Sequence, residues 1–244
     1  MQVISLCSQK GGSGKTTLTG HLAVQAVRRS QGPVALIDCD PQGSLAAWWN
    51  SRESAQPAFL ETSLASLGSD LERLRGQGYR YVFIDTPPAV SMPILRVMEQ
   101  SDLVLIPTRP SPHDLRAVRA TLDLAERAGR TPIFVVNGAA SRSRITSDAA
   151  VALSQHGTVA PSFICHRIVL AASMIDGRTV METEPEHRSA TEIAALWSYL
   201  EDRLVRLANR TAFHRQRPAL RTFGRRSDAA AGEERTDLPQ EALA

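Results

Sequence analysis

The sequence predicts an α/β fold: a mostly parallel, twisted sheet with helices on both faces. Three observations carry this. Short, unbroken apolar runs of strand length recur along the chain, and several end in an acid. Helix-length segments separate them. The first apolar run opens into a glycine-rich loop that leads directly into a helix. Strands buried on both faces read as continuous apolar runs, and parallel neighbours need helical crossovers between them.

The elements follow in order. Val3-Ile4-Ser5-Leu6-Cys7 is the first strand, residues 9–17 the loop, and Leu18 to Arg29 the first helix. Residues 33–38, Tyr81 to Asp85, Asp102 to Pro107 and Pro132 to Asn137 read as further buried strands. Helices are expected at 64–77, 91–100, 112–129 and 146–156, with a weaker strand at 159–165. From Ala190 to Arg206, Ile193, Leu196, Trp197, Leu200 and Leu204 share one face, so this segment reads as the last helix, packed on the sheet. Composition changes near Leu207. Arg203 to Arg226 holds eight arginines and no acid, and acids with Ala, Gly and Pro follow. The expected organisation is one domain over 1–207 and a disordered tail over 208–244, basic then acidic.

At 244 residues the chain has room for one sizeable core. Its 43% apolar and 22% charged content are those of an ordinary globular protein. The net charge is only +3, but the excess of arginine leaves an anionic partner open. Cys7, Cys39 and Cys165 lie in apolar runs without metal-ligand spacing and read as buried, reduced thiols. No charged-then-apolar leader opens the chain and no apolar run reaches the length of a membrane span. The expected location is the cytoplasm.

The loop carries the chemistry. Gln9-Lys-Gly-Gly-Ser-Gly-Lys-Thr-Thr17 stands between strand and helix, the context a phosphate-binding loop requires. Glycines at 11, 12 and 14 let backbone N–H groups turn onto a polyphosphate, and the helix N-terminus adds partial positive charge. Lys10, Gly11, Gly12, Ser13, Gly14, Lys15, Thr16 and Thr17 are the expected nucleotide contacts. Lys15 would reach the β- and γ-phosphates and the Thr16 hydroxyl would ligate Mg²⁺. Of the 28 basic residues only Lys10 and Lys15 are lysines. A compact ammonium fits among phosphate oxygens where a planar guanidinium does not. Three acids fall at carboxyl ends of strands, where ligands gather in such sheets. Asp38 ends the second strand, Asp40 lies two residues on, and Asp85 ends the Tyr81 run. Asp85 fits the Walker B pattern, a carboxylate that holds Mg²⁺ directly or through water.

The loop departs from the general pattern, which places glycine where Gln9 stands, and adds Lys10. This Lys-Gly-Gly-x-Gly-Lys-Thr-Thr form resembles the deviant Walker A loop of the ParA/MinD family of ATPases, closest to small ParA-type proteins without an N-terminal DNA-binding domain. The likeness spans about residues 1–207. Asp38-Cys-Asp-Pro-Gln-Gly-Ser44 looks like that family's first switch and Asp85-Thr-Pro-Pro88 like its second. Pro107 to Asp114 and Ile175 to Val180 are similar to stretches of the small ParA proteins. The resemblance implies a P-loop NTPase fold, ATP and Mg²⁺ as cofactors, and a homodimer formed with ATP. In that dimer Lys10 crosses to the partner's nucleotide. It implies that Asp40 orients the attacking water, that Asp38 and Asp85 serve the Mg²⁺ shell with Thr16, and that Asn137 holds the adenine.

Carried to function, the resemblance implies a slow, partner-stimulated ATPase that binds DNA without sequence preference and is associated with the nucleoid. A ParB-like or cargo-bound adaptor would trigger hydrolysis, segregating plasmid or chromosome DNA. The alternative is the same engine positioning a protein cargo, a microcompartment or chemotaxis cluster. Non-specific DNA binding needs clustered cations. Arg167, Arg178 and Arg188 are the expected contacts, with Arg142 and Arg144 as further options and the Arg203–Arg226 run as a possible extension. The chain starts at its first strand, so no operator-reading segment is expected ahead of the loop. MinD-like membrane anchoring is not expected, because the basic segment after Leu207 has few bulky apolar residues and is interrupted by Pro218. A reductase built on an iron–sulfur cluster is disfavoured because Cys39 has no suitably placed second cysteine.

Overall fold

The computed structural model describes residues 1–30, 32–141 and 143–215, and of residues 210–215 the backbone alone. Strand β1 (Gln2–Leu6) leads through α1 (Lys15–Arg29) to β2 (Val34–Asp38). Then come α2 (Ser44–Asn50), β3 (Ala58–Phe59), α3 (Leu67–Gly76) and β4 (Tyr81–Asp85). The chain continues through α4 (Met92–Gln100), β5 (Leu103–Thr108), α5 (Pro112–Arg127) and β6 (Ile133–Ala139). After α6 (Arg144–Ser154), β7 (Thr158–Val159) and β8 (Ile164–Cys165) it reaches α7 (Ile168–Ala172), α8 (Val180–Thr183) and α9 (Arg188–Arg215). The strands lie in the order β3-β2-β4-β1-β5-β6-β7, with β8 also on β6, and these ladders are all parallel.

Alternation along each strand divides the core between the two faces, because successive side chains point to opposite sides. Ile4, Leu6, Leu36, Tyr81 and Phe83 join Leu18 and Leu22 of α1 and Leu196 and Trp197 of α9. Val3, Ala35, Ile37, Val82 and Ile84 join Leu67, Leu71 and Leu74 of α3 and Val97 of α4. The apolar face expected of the last helix is fully buried, and Trp197 sits edge-on to Tyr81 with ring centroids 5.0 Å apart. Such an aromatic pair adds roughly 1 kcal/mol to the burial of its area.

Register sets the site. Leu6, the last residue of β1, lies opposite Asp85, and Asp38 lies opposite Asp85 on the other side of β4. The loop, Asp38 and Asp85 therefore reach the same edge of the sheet. The chain also turns outward here, with β4 and β5 flanking β1, and ligands bind at such a switch point.

Some elements differ from expectation. The strand expected at 159–165 is two short strands, Thr158–Val159 and Ile164–Cys165, with Pro161 between them. Proline has no N–H to give a ladder. The first helix begins at Lys15, three residues before Leu18, because the end of the glycine loop is already its first turn. Helices α2, α7 and α8 and strand β3 were not expected; each is too short to show a periodicity. The last helix runs on to Arg215, past the change in composition at Leu207. The rest of the tail lies outside the described residues. Cys7 is buried, but Cys39 and Cys165 are half-buried rather than buried.

One buried titratable group ties two helices together. His21 on α1 donates from Nδ1 to the Thr17 carbonyl at 2.8 Å, and its Nε2 accepts the Val180 N–H at 3.3 Å. The second contact requires the neutral ring, because a protonated Nε2 cannot accept. Burial pushes its pKa down from 6.5 to about 4, against the smaller pull of the Thr17 carbonyl. The native state therefore refuses a proton that the unfolded chain accepts. This stability is fully present above the unfolded pKa and is lost as pH falls from 6.5 toward 4. The difference is worth up to about 3 kcal/mol. Denaturant titrations at pH 7 and pH 4.5 should show a smaller acid-induced loss in His21→Gln than in wild type. Equal losses would contradict this role for His21.

Candidate nucleotide-binding site

The loop between β1 and α1 is built for close approach. Gly14 caps α1 in the left-handed conformation, with φ 94°. A β-carbon there would lie 2.1 Å from Asn137 Nδ2, so both conformation and space demand glycine. Among the described residues, the N–H groups of Gly14, Lys15, Thr16 and Thr17 donate to no protein acceptor and stand open at the helix start. The buried Ser13 hydroxyl also lacks a partner. Loop and helix start together present donors to an anion.

Lys15 is buried beneath the loop. Burial lowers its pKa, while Asp85 and then Asp40 pull it back up. Both carboxylates thus act on the same ammonium. Lys10 is exposed, and its side chain has no hydrogen bond or ion pair among the described residues. The two lysines stand in opposite environments five positions apart.

Asp85 is completely buried at the end of β4. One oxygen accepts the Thr16 hydroxyl at 2.5 Å and the other accepts the Thr86 N–H at 3.1 Å. Burial pushes its pKa up to about 7; the Thr16 bond opposes this and the Asp38 charge adds to it. A buried hydroxyl–carboxylate pair with a second carboxylate beside it suits a hard divalent cation, whose charge would relieve the strain of burying the carboxylate. Thr16, Asp38 and Asp85 fit Mg²⁺ on that ground.

Asp38 already has a structural task. Its Oδ1 accepts the Asp40 N–H at 2.9 Å. Its Oδ2 accepts the N–H groups of Leu45 at 3.0 Å and Ala46 at 3.1 Å. It thereby caps α2 from outside the helix, where the cap residue is Gly43. Asp38 shapes the switch that presents Asp40. Asp40 is half-exposed and accepts the Gln42 N–H at 3.0 Å.

Residues 4–180 match the model of the CobQ/CobB/MinD/ParA nucleotide-binding domain. The chain belongs to this family. A carboxysome-distribution protein A from Halothiobacillus neapolitanus is 31% identical over 199 residues, 78% of this chain and 91% of that one. A ParA protein from Rhizobium radiobacter is 32% identical over 126 residues, 51% of this chain; the match spans only 56% of that relative's length. Apo McdA of Cyanothece superposes with a TM-score of 0.69 at 18% identity, covering 82% of this chain and 99% of that one. The parallel eight-stranded sheet is thus the ParA/MinD fold.

Not every expected residue of the ParA/MinD site is placed as the resemblance implied. Asn137 donates from Nδ2 to the Ser13 carbonyl at 2.7 Å. That bond uses one of the two Nδ2 protons and ties the amide to the back of the loop; the second proton and Oδ1 have no partner among the described residues. Arg167 is no free cation: it forms a two-pronged ion pair with Glu192, 2.8 Å on each branch, and also reaches Ser189. That pair pins the end of β8 to α9, and Arg167 would have to leave or share Glu192 to meet a phosphate. Arg178 pairs with Asp176 at 2.6 Å, but both are about half exposed. Such a pair gives up little when a phosphate replaces the carboxylate. Arg188 is exposed at the start of α9, with no ion pair among the described residues. Arg144 is exposed and loosely paired with Asp148, and Arg142 lies outside the described residues. Sequence reasoning missed Arg109, whose guanidinium comes to the loop from the end of β5. Its signals were a basic residue just after a buried strand and its place in the Pro107–Asp114 stretch.

The Asn137 geometry separates two roles. As a clamp on the loop, Asn137→Ala should weaken ATP and GTP binding by the same factor, roughly tenfold for one buried hydrogen bond. A loss confined to ATP, measured by competition against a fluorescent nucleotide, would restore the adenine role.

Proposed function

We propose that this chain is an ATP-driven dimerising switch that positions a protein cargo over DNA. The observation that carries it is the fate of the two lysines. Lys15 is buried under its own loop, and Lys10 is exposed at the same loop with no side-chain partner among the described residues. A chain that uses arginine elsewhere has kept an ammonium where a second subunit's triphosphate would meet it.

The mechanism follows from the site. The loop N–H groups and Lys15 hold the triphosphate, and Asp40 orients a water in line with the γ-phosphate. Thr16, Asp38 and Asp85 would hold Mg²⁺, which would supply neutralisation of the phosphate charge. Little covalent chemistry falls to the protein, so positioning and electrostatics set the rate. An aspartate is a weak base for water, so turnover is slow until an adaptor completes the site. ATP then acts as adhesive between subunits, and hydrolysis releases them.

Support for cargo positioning comes from the relative that matches most of this chain and nearly all of its own length, a protein named for distributing carboxysomes. The ParA relative, named without a cargo, matches about half of each chain. The expectation of DNA segregation therefore yields first place to the alternative, with DNA as the track rather than the load. Arg178 and Arg188 remain as phosphate contacts, and affinity should fall steeply with salt. Among the described residues no helix is long and apolar enough to cross a membrane.

Asp40→Ala should keep ATP-dependent dimerisation while turnover falls at least tenfold; unchanged turnover would remove Asp40 from the mechanism. The same trapped variant, used as bait in a lysate of the source cells with ATP, should retain a shell or receptor protein. Recovery of a sequence-specific DNA-bound adaptor instead would return the reading to DNA segregation.

A further inference from the structure

Arg109 leaves β5 at the carboxyl edge of the sheet, beside the phosphate loop. Its stem lies across Gly138, with Cγ 3.6 Å and Nε 3.8 Å from where a β-carbon on that residue would be. Its Nη2 ends 3.8 Å from the corresponding position on Gly12. Gly12 and Gly138 both have positive φ, 70° and 68°. Two bare backbone turns thus form the trough in which this side chain lies. Arg109 is exposed, and among the described residues its guanidinium has no hydrogen bond and no carboxylate partner.

Arg188 is also without an ion pair but lies at the start of α9, whereas Arg52 and Arg167 are paired to carboxylates. Arg109 instead aims an unneutralised fork at the rim of an anion site, three residues ahead of Lys15. Lys15 lies beneath the loop that would hold the β- and γ-phosphates, and the Arg109 guanidinium lies over Gly12 on the same loop.

We propose that Arg109 supplies, within its own subunit, the cation that stabilises the leaving oxygen during ATP hydrolysis. The inference rests on the ATPase reading above. In the reaction the water oxygen bonds to the γ-phosphorus. The bond from that phosphorus to the bridging oxygen breaks, and its electron pair stays on the β-phosphate of ADP. The water's protons go to the released phosphate and to solvent. Negative charge thus grows on one oxygen, and a pre-placed guanidinium opposes it at little reorganisation cost. Because ADP carries that charge in full, Arg109 holds ADP more strongly than it holds ATP.

The test is Arg109→Gln in the full chain, with Lys15→Ala as the control that empties the site. Single-turnover hydrolysis should slow at least tenfold. By competition against a fluorescent nucleotide, ADP affinity should fall at least fivefold more than the affinity for a non-hydrolysable ATP analogue. A rate within twofold of wild type, or equal weakening of both nucleotides, would overturn the role of Arg109 and leave the ATPase reading intact. A wild-type chain that binds and hydrolyses ATP no better than Lys15→Ala would overturn the ATPase reading itself.

Discussion

The 2.5 Å contact between the Thr16 hydroxyl and the buried Asp85 carboxylate is the constraint on which the site depends. It joins the first turn of α1 to the end of β4 and closes the loop over the sheet. It is possible only because β1 pairs with β4 in the register that sets Leu6 opposite Asp85. A shift of one residue would turn the carboxylate to the other face of the sheet. The carboxylate is buried at the cost of a pKa raised to about 7, a penalty expected at a site that awaits a cation and not at a site built for stability.

The same register brings Asp38 alongside, and the chain beyond it is shaped by that one side chain. Three N–H groups converge on the Asp38 carboxylate and wrap the switch around it. The helix that follows is then held to the distant segment around α8. Trp48 donates to the Arg178 carbonyl, and Arg52 pairs with Glu182 through both carboxylate oxygens. Glu182 closes the box that caps α8, whose start also donates to His21. The segment from Asp38 through α2 and the segment that carries Arg178 are thus packed against each other.

Much of this was legible in the chain. The buried strands announced themselves as unbroken apolar runs, and the last helix by five apolar residues on one face. The loop declared itself through glycines that only a close backbone approach explains, and its lysines stood out against a background of arginine. What stayed hidden has physical causes. Elements such as β3, α7 and α8 are two to five residues long and held by tertiary contacts, which leave no periodic mark. Arg167 looked like a surface cation because its partner, Glu192, lies twenty-five positions away on another element. Arg109 escaped notice for the opposite reason: its importance lies in what it approaches across the sheet edge. Asn137 sat at the expected strand end but turned its amide inward to the Ser13 carbonyl.

In the proposed switch Lys10 is the residue that would tie the loop to a second subunit, so it decides between a switch and an ordinary nucleotide-binding fold. Sedimentation equilibrium of wild type and Lys10→Ala, each with saturating ATP and with ADP, measures that tie directly. The account predicts twice the monomer mass for wild type with ATP, and monomer for wild type with ADP and for Lys10→Ala with either nucleotide. A wild-type chain that stays monomeric in ATP, or a Lys10→Ala variant that pairs as readily as wild type, would contradict it.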